Sequence, residues 1–154
     1  LDTTIAFNTT RKGIVKYGSG VSFTTVGSLL LRNTILSGNT TEIEGVAWFD
    51  DIGGHPGVAV TGSNNLVVQP SSFDMPSDTI LLTPARLRPL AANGGPTATH
   101  MPAFGSAVVD AGTDASGEEV DQRGQGYPRI LGEAADIGAV EADLADTVFA
   151  DGFD

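Results

Sequence analysis

The feature that most constrains this chain is a repeat. Ile5-Ala6-Phe7-Asn8-Thr9-Thr10 returns 31 residues later as Leu36-Ser37-Gly38-Asn39-Thr40-Thr41, with the same apolar start and Asn-Thr-Thr end. Gly27-Ser28-Leu29-Leu30-Leu31 returns more loosely as Gly62-Ser63-Asn64-Asn65-Leu66, here at a spacing of 35. Unequal spacings suit a coil that stacks like on like while its loops swell on one face. Aliphatic side chains then fill the bore. An Asn amide bonds to the Asn one turn on, satisfying groups that a corner would otherwise leave unpaired. The competing explanation is that Gly-Ser and Asn-Thr pairs recur through composition alone.

Local pattern favours the coil. Candidate strands are Thr3–Phe7, Gly13–Tyr17, Gly20–Thr25, Ser28–Leu31, Asn33–Leu36, Val58–Val60 and Leu66–Val68, short apolar or β-branched runs closed by Gly, Asn or Ser. Each is near or below the mean strand length. No Asn-Gly joins two alternating runs in this part, which argues against a meander or sandwich. Residues 41–57 break the pattern and read as a lateral loop; residues 69–77, with two Pro and three Ser, read as a second. Thr83–Leu90 has room for one helical turn. Sparse charge and only two Lys exclude long helices with charged faces. The organisation expected is all-β: the last turns of a parallel β-helix over 1–82, an irregular C-terminal cap over 83–141, and an acidic linker and tail over 142–154.

Charge and composition narrow the partners. Eight Lys and Arg against 19 Asp and Glu give a net charge of −11, which repels nucleic acid and anionic membrane surfaces. The one dense basic stretch, Arg11, Lys12 and Lys16, is too short to reverse that field. The absence of Cys excludes disulfides and thiolate metal sites. No run of about 18 apolar residues predicts a transmembrane helix. The chain opens at Leu1-Asp2-Thr3-Thr4-Ile5, with no initiator Met and no charged-then-apolar leader. It reads as a fragment or processed product whose upstream turns are missing.

From Leu87 onward the residues resemble a known family. Pro89-Leu90-Ala91-Ala92-Asn93-Gly94-Gly95-Pro96-Thr97-Ala98-Thr99-His100 resembles the P-L-A-x-N-G-G-P-T-x-T-H signature of choice-of-anchor Q domain proteins. Gly105-Ser106-Ala107-Val108-Val109-Asp110-Ala111-Gly112 resembles their G-S-P-A-I-D-A-G element. Asp121-Gln122-Arg123-Gly124 is similar to D-Q-R-G, and Asp136-Ile137-Gly138-Ala139-Val140-Glu141 to D-I-G-A-[FV]-E. Leu31–Leu36 and Gly62–Val67 also resemble the family's last turns. Two departures stand out. Ala107 replaces the usual Pro, and the cysteines many relatives carry around D-Q-R-G are absent, so a disulfide has no counterpart here. The resemblance implies a right-handed β-helix on a large secreted or cell-surface bacterial protein, with varied anchors after the domain and no established enzymatic activity. At the end, Val148-Phe149-Ala150-Asp151-Gly152-Phe153-Asp154 resembles the I-F-x-x-G-F-[ED] terminus of secreted proteins of some γ-proteobacteria. That implies a location outside the cell or on the outer surface of a Gram-negative bacterium. Two readings of this tail stay open: a tag captured by secretion or sorting machinery through Phe149, Phe153 and the terminal carboxylate, or a final strand.

A coil that simply stops exposes unpaired backbone groups and its apolar bore. The cap is therefore expected to fold back over the end, with Asn93-Gly94-Gly95-Pro96 supplying the left-handed geometry of a tight reversal. Asp110, Asp121, Asp136 and Glu141 share one obvious cation, Arg123, with Arg129 near in sequence. Arg123 is expected to be held by one or two of these carboxylates and so pin the cap loops. His100 is expected to bond to backbone within the cap.

Chemical readings are weaker. Asp50-Asp51, or Asp110 with Asp121, would be the carboxylate pair of a glycosidase, but adjacent residues of a strand point to opposite faces. A polysaccharide lyase needs clustered acids plus a basic neighbour, which these turns lack, although catalytic turns could lie upstream. No G-x-S-x-G occurs, and His55 and His100 sit in Gly/Pro-rich or cap contexts. Asp110, Asp114, Glu118, Glu119 and Asp121 would suit Ca²⁺ by chemistry, but their spacing matches neither an EF-hand nor a nonapeptide repeat. A solvated acidic loop is the simpler reading, and no cofactor is expected. Trp48 beside Asp50 and Asp51 offers a platform with acceptors for a carbohydrate; the alternative is that Trp48 and Phe49 anchor the loop. Two functions remain in play: a structural or adhesin-like surface module, and the tail of a polysaccharide-degrading enzyme.

Overall fold

The computed structural model describes residues 1–11, 18–114 and 116–143. The candidate strand Gly13–Tyr17 and the tail Val148–Asp154 lie outside them. Among the described residues there is no helix, and the strands are β1 (Thr3–Ala6), β2 (Thr9–Arg11), β3 (Val21–Phe23), β4 (Gly27–Arg32), β5 (Thr34–Ser37), β6 (Thr40–Ile43), β7 (Val46–Phe49), β8 (Ile52–Gly54), β9 (Val58–Ser63), β10 (Leu66–Val67) and β11 (Ile80–Leu81). They form four sheets, ordered β1-β5-β10-β11, β2-β6-β7, β3-β8 and β4-β9.

One number governs the pairing. Thr3 lies opposite Thr34, Thr9 opposite Thr40, Val21 opposite Ile52, Gly27 opposite Val58 and Ile35 opposite Leu66, all parallel and all 31 residues apart. The Asn-Thr-Thr repeat therefore marks the true register. The spacing of 35 does not: Gly27 faces Val58, and Gly62 faces Leu31. The reason is loop length. Residues 24–26 and 55–57 are equal connections between β3 and β4 and between β8 and β9, so the register of one pair carries into the next. Gly62 serves another purpose. At φ 123° it lies under Leu31, whose carbonyl oxygen would be 1.6 Å from any added Cβ.

Asn residues join successive turns at the corners. Asp2, Asn33 and Asn64 recur at the same register with φ of 48°, 46° and 52°, the left-handed geometry that short polar side chains tolerate. Asn39 accepts from the backbone N–H of Asn8 at 3.1 Å and donates to the Ile5 carbonyl at 2.9 Å. Asn65 repeats the arrangement, accepting from Thr34 N–H at 3.0 Å and donating to the Leu31 carbonyl at 3.1 Å. Both are fully buried, so each carboxamide satisfies backbone groups that would otherwise be stranded.

Strand alternation separates two apolar clusters. Leu36 and Val67 face inward with Leu31, Ile52 and Val58. Ile35 and Leu66 point to the opposite face, against Ala85, Val108 and Ile137. The region after residue 83 thus packs on the outer face of the β1-β5-β10-β11 sheet, which is why β5 is buried on both sides. This corrects the expectation of a cap folded over the end. Residues 69–77 contribute to the inner cluster instead: Phe73 is buried in it, 6.1 Å from the Phe23 ring, and Met75 packs beside it.

Two further differences have local causes. The lateral loop expected over 41–57 is an antiparallel hairpin, β6–β7, followed by strand β8. Its turn is Glu44-Gly45 with φ of 51° and 78°, the geometry usually signalled by Asn-Gly. Thr83–Leu90 forms no helical turn and is extended, with Leu87 bridging Pro102. Pro84 and Pro89 lack N–H donors and push Thr83 and Arg88 out of the helical region.

Candidate functional site

The densest set of charged side chains lies where the outer region meets β1 and β5. Arg123 reaches the Asp121 carboxylate through Nε (3.0 Å to Oδ2) and Nη2 (2.7 Å to Oδ2), and donates from Nη2 to the Glu141 carbonyl at 2.8 Å. Its guanidinium also lies 4.2 Å from the Tyr127 ring centroid. Asn93-Gly94-Gly95-Pro96 packs against this pair. A Cβ on Gly94 would meet the Tyr127 hydroxyl and one on Gly95 the Arg123 Cα, at 1.8 and 2.6 Å. Close approach is thus why both glycines are needed. Of the four carboxylates expected around Arg123, only Asp121 pairs with it by side chain.

The others are held differently. Asp136 accepts from the N–H groups of Asp110 and Ala142 at 2.8 and 2.7 Å. Asp110 accepts from Glu133 and Ala134 N–H at 2.8 and 3.1 Å. Glu141 pairs with Arg129, which sequence reading left as a bystander. The Arg129 side chain is 2% exposed and donates to Asp2 at 2.8 Å, to the Asp136 carbonyl at 2.8 Å and to the Gly138 carbonyl at 3.2 Å. Arg129 is thus the clamp between the outer region and the first turn. Its partner Asp2 is 127 residues away in sequence, and no motif announces such a contact.

Burial sets the electrostatics. Loss of water pushes Glu141 up to about 7, with the Asp136 and Asp121 charges adding and Asp136 N–H and Arg129 opposing. Burial likewise raises Asp136, helped by the Asp110 charge and opposed by its N–H donors and Arg129. These carboxylates are committed to internal donors. Among the described residues no group of three or more His, Cys, Asp or Glu is placed to hold a metal ion. Asp114, Glu118 and Glu119 are exposed, and Asp114 accepts from Gly117 N–H at 3.1 Å as a turn residue.

Asp50 and Asp51 are also structural. They are 2% and 0% exposed. Asp50 accepts from Gly18 N–H at 2.8 Å, Thr41 at 3.0 Å and Ser71 at 3.3 Å. Asp51 accepts from Asn39 N–H at 2.9 Å, the Asn39 amide at 2.8 Å and Gln69 N–H at 2.9 Å. Together they staple three successive stretches of chain. Trp48 and Phe49 stand on β7 with 48% and 65% exposure, so the aromatics are at the surface while the expected sugar-binding carboxylates face inward. That removes both the glycosidase pair and the acceptors of the carbohydrate platform. His100 Nδ1 lies 2.8 Å from the Arg88 carbonyl, within the outer region as expected, and its ring meets Phe7 at 5.0 Å. No protein-family model, curated protein or solved structure matches the chain.

Proposed function

We propose that this chain is the closing end of a right-handed parallel β-helix of the choice-of-anchor Q kind, on a secreted or cell-surface bacterial protein. In this reading it terminates and braces the coil and carries no catalytic step. One observation supports it above the rest. The constant 31-residue register leaves β1, β2, β3 and β4 each paired on one side only. Away from those edges, Phe73 and Met75 complete the inner core, and the outer region is locked to β1 and β5 through Arg129, Thr4 and Asn33. Such an object stacks in one direction and stops in the other, as an end piece must.

Opening the closed end tests this. Replacing residues 70–77 by a Gly/Ser linker should expose the inner cluster and produce β-rich oligomers by light scattering, with the strand signal in circular dichroism retained. A variant that stays monomeric refutes the closing role. Turnover of an acidic polysaccharide by the unaltered chain would replace the structural reading with the enzymatic one.

A further inference from the structure

Beside β1 is a cavity of about 670 Å³, lined by Thr3 and Thr4, by Glu118 and Val120, and by Asp2 and Arg129. Two buried polar atoms of that lining have no hydrogen-bond partner, Asp2 Oδ2 and Arg129 Nε. One lacks a donor and the other an acceptor, and their side chains already meet at 2.8 Å. Leaving such atoms dry costs more than a typical hydrogen bond gains. A carboxamide supplies both needs, its NH₂ to the carboxylate and its oxygen to the guanidinium.

The corner column names the side chain that brings it. Asp2, Asn33 and Asn64 share one left-handed position, and Asn33 donates to Asp2 Oδ1 at 2.8 Å. The donor thus passes from each turn toward the one before it. Asp2 breaks that direction, because a carboxylate has nothing to donate. Arg129 explains the exchange, since it requires a carboxylate there. The turn ahead must then donate to Asp2.

We propose that this cavity seats the corner Asn of a further parallel turn, placed 31 residues ahead of Asp2 as Asn33 stands 31 after it. The occupant is a strand continuing the β1–β5 stacking past the free edge of β1. The proposal rests on the reading that the chain ends a longer coil.

A copy of residues 32–62 fused in front of Leu1 supplies that turn in register, with the whole chain retained. Amide exchange at Thr3–Ala6 should slow by about tenfold or more, while unchanged exchange at Leu36 and Val67 reports that the original turns are intact. Asn33→Ala or Asn33→Asp in the added copy alone should forfeit most of the protection. Equal protection with those substitutions would overturn the Asn seat and leave the end-piece reading standing. No protection from the unsubstituted copy would overturn both.

Discussion

Arg129→Met is the most informative perturbation of the outer region. The guanidinium side chain is 2% exposed and serves the Glu141 and Asp2 carboxylates and the carbonyls of Asp136 and Gly138. Met fills much of the same space and makes none of these bonds. Two buried or half-buried carboxylates then face each other's surroundings without a cation, which costs on the order of 3–5 kcal/mol. That is a large share of the roughly 5–15 kcal/mol that holds a typical domain together. The loss should depend on pH in a definite direction. Glu141 already titrates near 7, and without Arg129 it binds a proton more readily still. Below pH 6 the protonated acid tolerates burial and the loss shrinks; above pH 8 the full loss appears. Urea unfolding followed by far-ultraviolet circular dichroism at pH 5.5 and 8.5 reads both numbers. In the Arg129→Met/Glu141→Gln double variant the pH dependence should vanish, and the coupling should exceed about 1 kcal/mol. A loss below about 1 kcal/mol at both pH values, the size of an exposed pair, would refute the clamp.

Two other outcomes follow from the same geometry. Glu141 rises from 4.5 to about 7 on folding, so its stabilising contribution is complete below the lower value and lost as pH climbs through the upper. That amounts to about 3 kcal/mol at about 1.4 kcal/mol per unit, and thermal melts of Glu141→Gln should lack most of this decline. Gly62→Ala should cost on the order of 3 kcal/mol, because its φ of 123° is strained for a side chain and the Leu31 carbonyl blocks it. Gly27→Ala has open space and should stay within about 0.5 kcal/mol; equal melting shifts for the two would restore the equivalence that the 35-residue spacing suggested.

What could be read from the chain was local or repeated. Short β-branched runs between Gly, Asn and Ser favour strands wherever they occur, so β1, β3, β4, β5, β9 and β10 coincide with expected strands. The Asn8–Asn39 spacing gave the register, because stacking like on like repeats a local pattern at a fixed interval. Asp121 and Arg123 sit two residues apart, so their pairing needed little chain folding to arrange. Other features depended on distances that no pattern encodes. Glu44-Gly45 reverses the chain because β6 and β7 can pair around it, not because Glu is a turn residue. Asp50 and Asp51 look equally available in sequence, and only the arrival of Gly18, Asn39, Gln69 and Ser71 from other stretches buries them. Whether Ile35 and Leu66 faced solvent or a second layer was open until Val108 and Ile137 came to cover them. Arg129 became the clamp because packing of the outer region on β5 carries it to Asp2. A pairing across that separation is chosen by the packing of the layers, after each segment's own preferences are satisfied.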